Sequence, residues 1–425
     1  IMFNGDGTPL RNFFHASRSL KELQRGIGKM WLEADRKPEI AILYSQSSLY
    51  TAMNSIGVSQ WQNSQSSWVK LLEDLKYDCK FISYEELAQK GVAPEYKVVV
   101  LPCSLSLSEK ESAALEAFVK RGGTLIADVA PGRFDGHGKR WNNPVLAKFF
   151  APNSGEIKPW MQLYAPMKEK FFTGEKALGI NTVTSYGKGK AVLLNLLVGQ
   201  YHFITLGGTG GEVSKSVSGD AKFQQTLRTL VDSSLTAANV RRELRILDAK
   251  GGEYPCMGVM RYDSGNRILA IHKTGGEGER FNFKAAVPVT VKLASKGHVY
   301  DVREGKYLGY TDTFKSSVLP GWSKIYSIQQ KKVNALKLTV PAAVTAGNVV
   351  KVNFSAEGAA GSQVFHLELR DPAGKEVSLV TKNYYTAPAG SASFQIPYNA
   401  AKGIWSVEVT HVNTGLKAVK KISVK

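Results

Sequence analysis

The chain has 425 residues, 43% hydrophobic and 21% charged, with a formal net charge of +19 and a pI near 9.6. This globular composition is long enough for two to four domains, and no apolar run reaches the ~18–20 residues of a membrane-spanning helix. Lys and Arg are scattered rather than grouped, and no recognition motif accompanies them, so the charge fits an acidic or sulfated polysaccharide, or equally a salty habitat, better than a nucleic acid.

The chain opens on "NGDGTP", a turn, after which Leu10, Phe13, Phe14, Leu20, Leu23, Ile27, Met30 and Trp31 recur at roughly helical spacing. That stripe predicts a helix with one buried face. No strand precedes it, so it reads like the end of a domain whose beginning is missing. Residues 1–30 carry Asp6 and Glu22 and lack the apolar core of a signal peptide.

"EIAILYS" (39–45), "CKFIS", "EYKVVVLPCS" and "TLIADVA" (124–130) are short apolar runs suited to buried strands. Between them, "SSWVKLLEDLKYD" carries Trp68, Leu71, Leu72 and Leu75 on one helical face, with Ser66 or Ser67 placed to cap it. "SEKESAALEAFVKRGG" reads as a helix with a Ser108–Glu111 capping box, a Leu115, Phe118 and Val119 stripe, and Gly122 as its stop. The order implies a mainly parallel, doubly wound sheet. "TVTSYGKGKAVLLNLLVGQY" adds a hairpin turning at Gly187–Gly189, and "DAKFQQTLRTLVDSSL" a last helix with Phe223, Leu227, Leu230 and Val231 inward. An irregular insertion lies between about 131 and 180.

After about 240 the helical period disappears. "GVMRYDSGNRILAIHK" and "HVYDVREGKYLGYTD" read as hairpins turning at Ser264–Asn266 and Glu304–Gly305, and "VPVTVKL" alternates strictly. A small β-sandwich is expected to end near Ser327, followed by the polar joint "QQKKVNA". From Leu336 to Lys425, short alternating strands with polar turns suggest an immunoglobulin-like sandwich.

In this order the segments resemble glycoside hydrolase family 42 β-galactosidases. "NGDGTPLRNFFHASRSLKELQRGIGKMW" resembles the last turn and helix of the family's (β/α)8 barrel. "EIAILYS…VVVLPCSLSLSEKESAALEAFVKRGGTLIADVAPGRFDGHG" resembles its glutamine-amidotransferase-like, flavodoxin-like trimerisation domain. "GHVYDVREGKYLGYTDTFKSSVLPGWSKIYSI" resembles its small closing β-domain. The resemblance covers about 1–330, and the terminal sandwich looks like an added module. The expected domains are a barrel remnant (1–36), the trimerisation domain (37–238), a small β-sandwich (239–331) and an immunoglobulin-like sandwich (332–425). The fold class is thus multidomain, α/β followed by all-β.

The family's two catalytic carboxylates sit on barrel strands, and no residue of this chain matches either. No catalytic residue, cofactor or metal is therefore expected. The resemblance implies a non-catalytic region of a β-galactosidase-like hydrolase. It would form a homo-oligomer, most simply a trimer through 131–205, and shape the rim of a saccharide site. The alternative is a carbohydrate-binding or scaffold protein without hydrolase activity. A bacterial periplasmic or extracellular location is expected.

Asp128 ends a strand at the carboxyl edge of the α/β sheet, where ligands often bind, and Asp135 and His137 follow in "GRFDGHG". With Trp141, Trp160, Tyr164 and Tyr201 they are the candidate rim or interface residues. The plain alternative is that they are loop and core residues. Cys103 ends a strand in "LPCSL" but lacks the flanking glycines of a nucleophile elbow. Cys79 and Cys256 share its lack of metal-ligand spacing, and all three read as structural thiols. His366-Leu367-Glu368 is a His–Glu pair two residues apart on an expected strand, best explained by chance. Ser45, Ser47 and Ser48 follow the first strand without the glycines or lysine of a phosphate loop, so capping explains them better.

Overall fold

The computed structural model describes residues 8, 11–128, 131–150, 181–194, 198–205, 215–218, 221–273 and 285–425. The N-terminal stripe is broken rather than continuous. Helix α1 (Arg11–Glu22) runs into a distorted turn at Leu23–Ile27, from which α2 (Gly28–Glu33) departs. The break is at Arg25 and Gly26, the latter at φ +104, a region only glycine enters freely. Ile27, Met30 and Ala34 are buried, while Leu20 and Leu23 are 56% and 41% exposed. The buried residues pack on Ile268, Val302, Ile325, Val364 and Val412 of the two β units. Leu10 falls outside the described residues, as do the side chains of Phe13 and Phe14.

The α/β unit comprises β1 (Ile40–Tyr44), α3 (Gln46–Met53), α4 (Val58–Leu75), β2 (Cys79–Ser83), α5 (Tyr84–Lys90), β3 (Val98–Leu101), α6 (Glu109–Lys120), β4 (Thr124–Ala127), and the hairpin β5 (Asn181–Tyr186) and β6 (Gly189–Leu194). The sheet order is β2-β1-β3-β4-β6-β5, parallel except for the last pair. A two-stranded ribbon, β7 (His202–Thr205) and β8 (Lys215–Ser218), precedes α7 (Ala221–Ala237). Successive strand residues feed opposite cores. Ile40, Ile42, Val98 and Val100 meet Trp68 and Leu71 of α4 and Leu227 and Val231 of α7. Ala41, Leu43, Val99 and Leu101 meet Leu115, Phe118 and Val119 of α6. Burial on both faces is why these strands read as unbroken apolar runs.

Helix α4 starts eight or more residues before the expected serine caps. Its N-cap is Gly57 at φ +90. Ser66 and Ser67 are helical, and Ser67 Oγ instead donates to the His202 carbonyl at 2.6 Å. The first two turns bury Gln60, Trp61, Ser64 and Gln65, a face too polar to register as a stripe.

The second unit contains β9 (Leu244–Leu247), β10 (Met257–Asp263), β11 (Asn266–His272), β12 (Val287–Asp301), β13 (Lys306–Val318) and β14 (Lys324–Gln329). These strands form one sheet where a two-sheet sandwich is expected. Strand β12 runs 15 residues with register shifts at Lys292/Gly297 and Val299/Tyr300. One edge pairs β13, and the other pairs first β9 and then β14. Such shifts increase local twist, and the bent sheet encloses its own core around Ile246, Leu269, Val291 and Val299. Strict alternation cannot separate one bent sheet from two facing ones.

The last unit has two sheets. Strands β15 (Ala335–Thr339), β17 (Val349–Glu357) and β20 (Ala389–Gln395) form one, in the order β15-β17-β20. Strands β16 (Ala343–Val344), β18 (Gln363–Arg370), β19 (Lys382–Thr386), β21 (Gly403–His411) and β22 (Leu416–Val424) form the other, in the order β16-β22-β21-β18-β19. Val350, Val352 and Phe354 of one face meet Phe365, Leu367, Trp405 and Val407 of the other.

The expected polar joint is a packed seam. Val333 is buried, and its N–H donates to Tyr300 Oη at 3.0 Å. Gln363 Nε2 donates to Gln329 Oε1 at 3.1 Å, and Gln363 Oε1 lies 2.9 Å from His411 Nε2.

Candidate functional site

In open α/β sheets, ligands bind at the carboxyl edge of the strands. Asp128 stands there, one residue past β4, and is fully buried. Its Oδ1 accepts the Cys103 N–H at 2.5 Å, and its Oδ2 accepts Ser64 Oγ at 2.8 Å and Trp68 Nε1 at 3.2 Å. Burial pushes this carboxyl up to about 6, against the pull of those donors. Asp128 therefore braces the ends of β3 and β4 against α4.

Cys103 has φ +43, a strained conformation for a non-glycine residue at a strand end. It is nonetheless sealed among Ala52, Ile56, Trp61 and Leu105. Burial raises its thiol well above the ordinary value, the reverse of what a nucleophile needs. Ser45 caps α3 by accepting the Ser48 N–H, as expected. Ser48 Oγ donates to the Ser106 carbonyl at 3.0 Å, tying α3 to the loop after β3.

Asp135 and His137 lie in one turn. Asp135 Oδ1 accepts the N–H groups of His137 and Lys139, each at 2.9 Å. The Lys139 bond leads in holding the Asp135 carboxyl below its ordinary range. His137 is exposed, and half-buried Trp141 donates Nε1 to the Leu107 carbonyl at 3.4 Å. This loop thus presents Asp135, His137 and Trp141 near α6. Among the described residues no hydrogen bond joins them to Asp128. Trp160 and Tyr164 lie outside the described residues. Tyr201 is a core residue rather than a rim residue. It is fully buried, donates to Asp74 Oδ2 at 2.7 Å and accepts from Arg228 Nη1 at 3.1 Å. Its place near the irregular insertion in sequence concealed its packing beside Trp68.

A second polar centre lies where the N-terminal segment meets both β units. A cleft of about 180 Å³ is lined there by Glu22, Arg25, Arg303, His366, Glu368 and Lys417, among others. His366 Nε2 lies 3.1 Å from Glu368 Oε1. Glu368 is also paired with Arg25 at 3.4 Å and Arg370 at 2.5 Å. The i, i+2 spacing on a strand is a signal for one shared face, but Arg25 comes from the far end of the sequence. Among the described residues no group of His, Cys, Asp or Glu has the arrangement of a metal site. No helix there is long and apolar enough to cross a membrane.

Residues 38–186 match the family model of the β-galactosidase trimerisation domain. That match takes in about a third of the chain. The β-galactosidase from Bacillus circulans sp. alkalophilus has a similar fold (TM-score 0.51, 16% identity), with the match covering 75% of this chain and 45% of that one. A catalytic mutant of a GH42 β-galactosidase from G. stearothermophilus is similar too (TM-score 0.51, 15% identity), with 77% and 45% covered. The chain therefore spans less than half the length of these enzymes. No curated protein matches it. The trimerisation-domain match contains Asp128, Asp135, His137 and Trp141, and it ends at Tyr186, before Tyr201.

Proposed function

We propose that this chain is a non-catalytic region of a β-galactosidase-like glycoside hydrolase, which joins subunits into a trimer and shapes the rim of a saccharide site. The observation that carries this reading is the match of residues 38–186 to the trimerisation domain, on a sheet of the corresponding doubly wound kind. The α/β unit serves as an amidotransferase-like scaffold whose nucleophile position, Cys103, is sealed. Residues 1–36 act as the end of a barrel, and the terminal two-sheet unit as an immunoglobulin-like module facing outward. A charge of +19 suits an acidic or sulfated saccharide and a periplasmic or extracellular setting. Subunits meet through 131–205, with Asp135, His137 and Trp141 at the contact or the rim.

Hydrolysis assays test the non-catalytic part. The purified chain should release no phenol from aryl β-galactosides. Turnover that survives repurification and is lost on a point substitution in this chain would overturn the reading. A second reading, saccharide binding without cleavage, is favoured by one surface feature. Tyr310, 60% exposed, and Tyr307 stand beside His298, whose Nδ1 lies 2.8 Å from Tyr307 Oη. Glycan binding that survives loss of oligomers and fails in Tyr310→Ala would favour it.

A further inference from the structure

We propose that the groove where the N-terminal helix meets the two β units binds an acidic saccharide, one carrying sulfate or carboxylate groups at intervals along its chain. This site belongs to the saccharide part of the proposed function, on which it rests. Two clefts adjoin there and share Glu22 and Arg25. One, of about 440 Å³, runs along α1 past Arg18 and Lys21. The other, of about 180 Å³, lies between the end of that helix and the β units, beside Arg303 and Lys417. Arg18 and Lys21 are three residues apart, on one face of α1, and Arg25 lines the same cleft one turn on. Arg303 lies just past β12, and Lys417 is in β22. Distant parts of the sequence thus bring five cations to one groove, against the two carboxylates Glu22 and Glu368.

Both carboxylates are already shared. Glu22 pairs with Arg18 at 3.5 Å and Arg303 at 3.2 Å, and Glu368 with Arg25 at 3.4 Å and Arg370 at 2.5 Å. What remains is donor capacity. Arg18 and Arg25 make these pairs through Nε, and their terminal nitrogens have no acceptor among the described residues. Lys21 is exposed and has no carboxylate partner among them. The Arg303 and Arg18 guanidiniums lie over the Trp322 ring, at 4.4 and 5.9 Å. Stacking uses the flat face of a guanidinium and leaves its edge donors for an anion. These donors are strung out, because a helix rises about 10 Å between positions seven apart. One sulfate or carboxylate group cannot bridge that span. A chain with repeated anionic groups can meet Arg18, Lys21 and Arg25 in turn, pairing with both oxygens of each group where it meets an arginine. A further detail favours a saccharide over other polyanions. Glu22 Oε2 and Arg303 Nε face each other without hydrogen-bond alignment, and neither has another partner. A hydroxyl group both donates and accepts, and so completes both.

Calorimetric titration of the full chain at roughly 0.15 M salt tests this with a sulfated galactan oligosaccharide, its desulfated form and a galacturonan oligosaccharide of the same length. At least one acidic oligosaccharide should bind and the desulfated one should not, and the two acidic arms distinguish sulfate from carboxylate. The double variant Arg18→Gln/Lys21→Gln should weaken that binding about tenfold or more. Lys351→Gln/Lys375→Gln removes the same charge from exposed positions on the terminal sandwich, and should change it less than about twofold. Equal weakening by both double variants would show a response to net charge alone and overturn the groove. So would equal binding of the desulfated oligosaccharide, or binding of neither acidic one. All four positions lie outside 131–205, so sedimentation reads assembly independently. A trimer that binds no acidic oligosaccharide overturns this inference and leaves the joining of subunits in place.

Discussion

Gly26 has no room for a side chain and a backbone conformation that disfavours one. Gly26→Ala is expected to cost about 1–3 kcal/mol, read as a fall in the denaturant midpoint; Gly57→Ala, at φ +90 with open space around its Cβ, should cost less. Asp128 titrates against the fold in the opposite sense to a paired carboxylate. Its pKa is raised from 3.8 to about 6, so its contribution is full below 3.8 and is lost as pH rises through about 6. Asp128→Asn orphans the Trp68 N–H at a cost of about 1–3 kcal/mol. That cost should be smaller at pH 8 than at pH 5, because only the wild type carries the buried charge at the higher pH. Equal costs at both would contradict the assignment. His411, buried in the seam between the β units, is pushed down from 6.5 to about 3 by burial. The stability it supports is full above 6.5 and declines as pH falls toward about 3. Its ring should remain neutral in NMR spectra at pH 4.5. None of these residues announced its role in the sequence. Asp128 was legible as a strand-end acid, but its three donors come from two other elements. Tyr201 looked like a surface aromatic because its neighbours in sequence are irregular.

At the scale of elements, local signals were read correctly where they are complete within a few residues. The Ser108–Glu111 capping box of α6 is present with both of its bonds. Ser108→Ala is expected to destabilise by about 0.5–2 kcal/mol, measured as a fall in thermal midpoint. The hairpin turns at Gly187, Gly265 and Gly305 carry positive φ where the sequence places them. The misses share one physical cause, which is tertiary contact overriding pattern. Helix α4 begins at Val58 because polar residues such as Ser64 and Gln65 find buried partners. The N-terminal helix breaks at Gly26 because the sandwich surface receives the kink. One bent sheet replaces a sandwich because β12 changes partners along its length.

For the whole molecule, the two β units and the N-terminal segment share a continuous interface. Ile27 and Met30 share one core cluster with residues of both units, and the Gln329–Gln363–His411 chain crosses the seam. The order of these units was legible because the α/β pattern ends cleanly near residue 240. Their mutual packing was not, since it joins residues more than 300 positions apart, such as Gln24 and Asn383. The central claim is that the α/β unit joins subunits through 131–205. Charge repulsion from +19 per chain opposes association but is screened within ~8 Å at physiological salt. Sedimentation equilibrium of the full chain at tens of micromolar, in roughly 0.15 M and roughly 0.5 M salt, tests it most directly. A trimer of about 140 kDa, three times the 46.5 kDa chain, is expected at both salt concentrations. A monomer at both would contradict the claim.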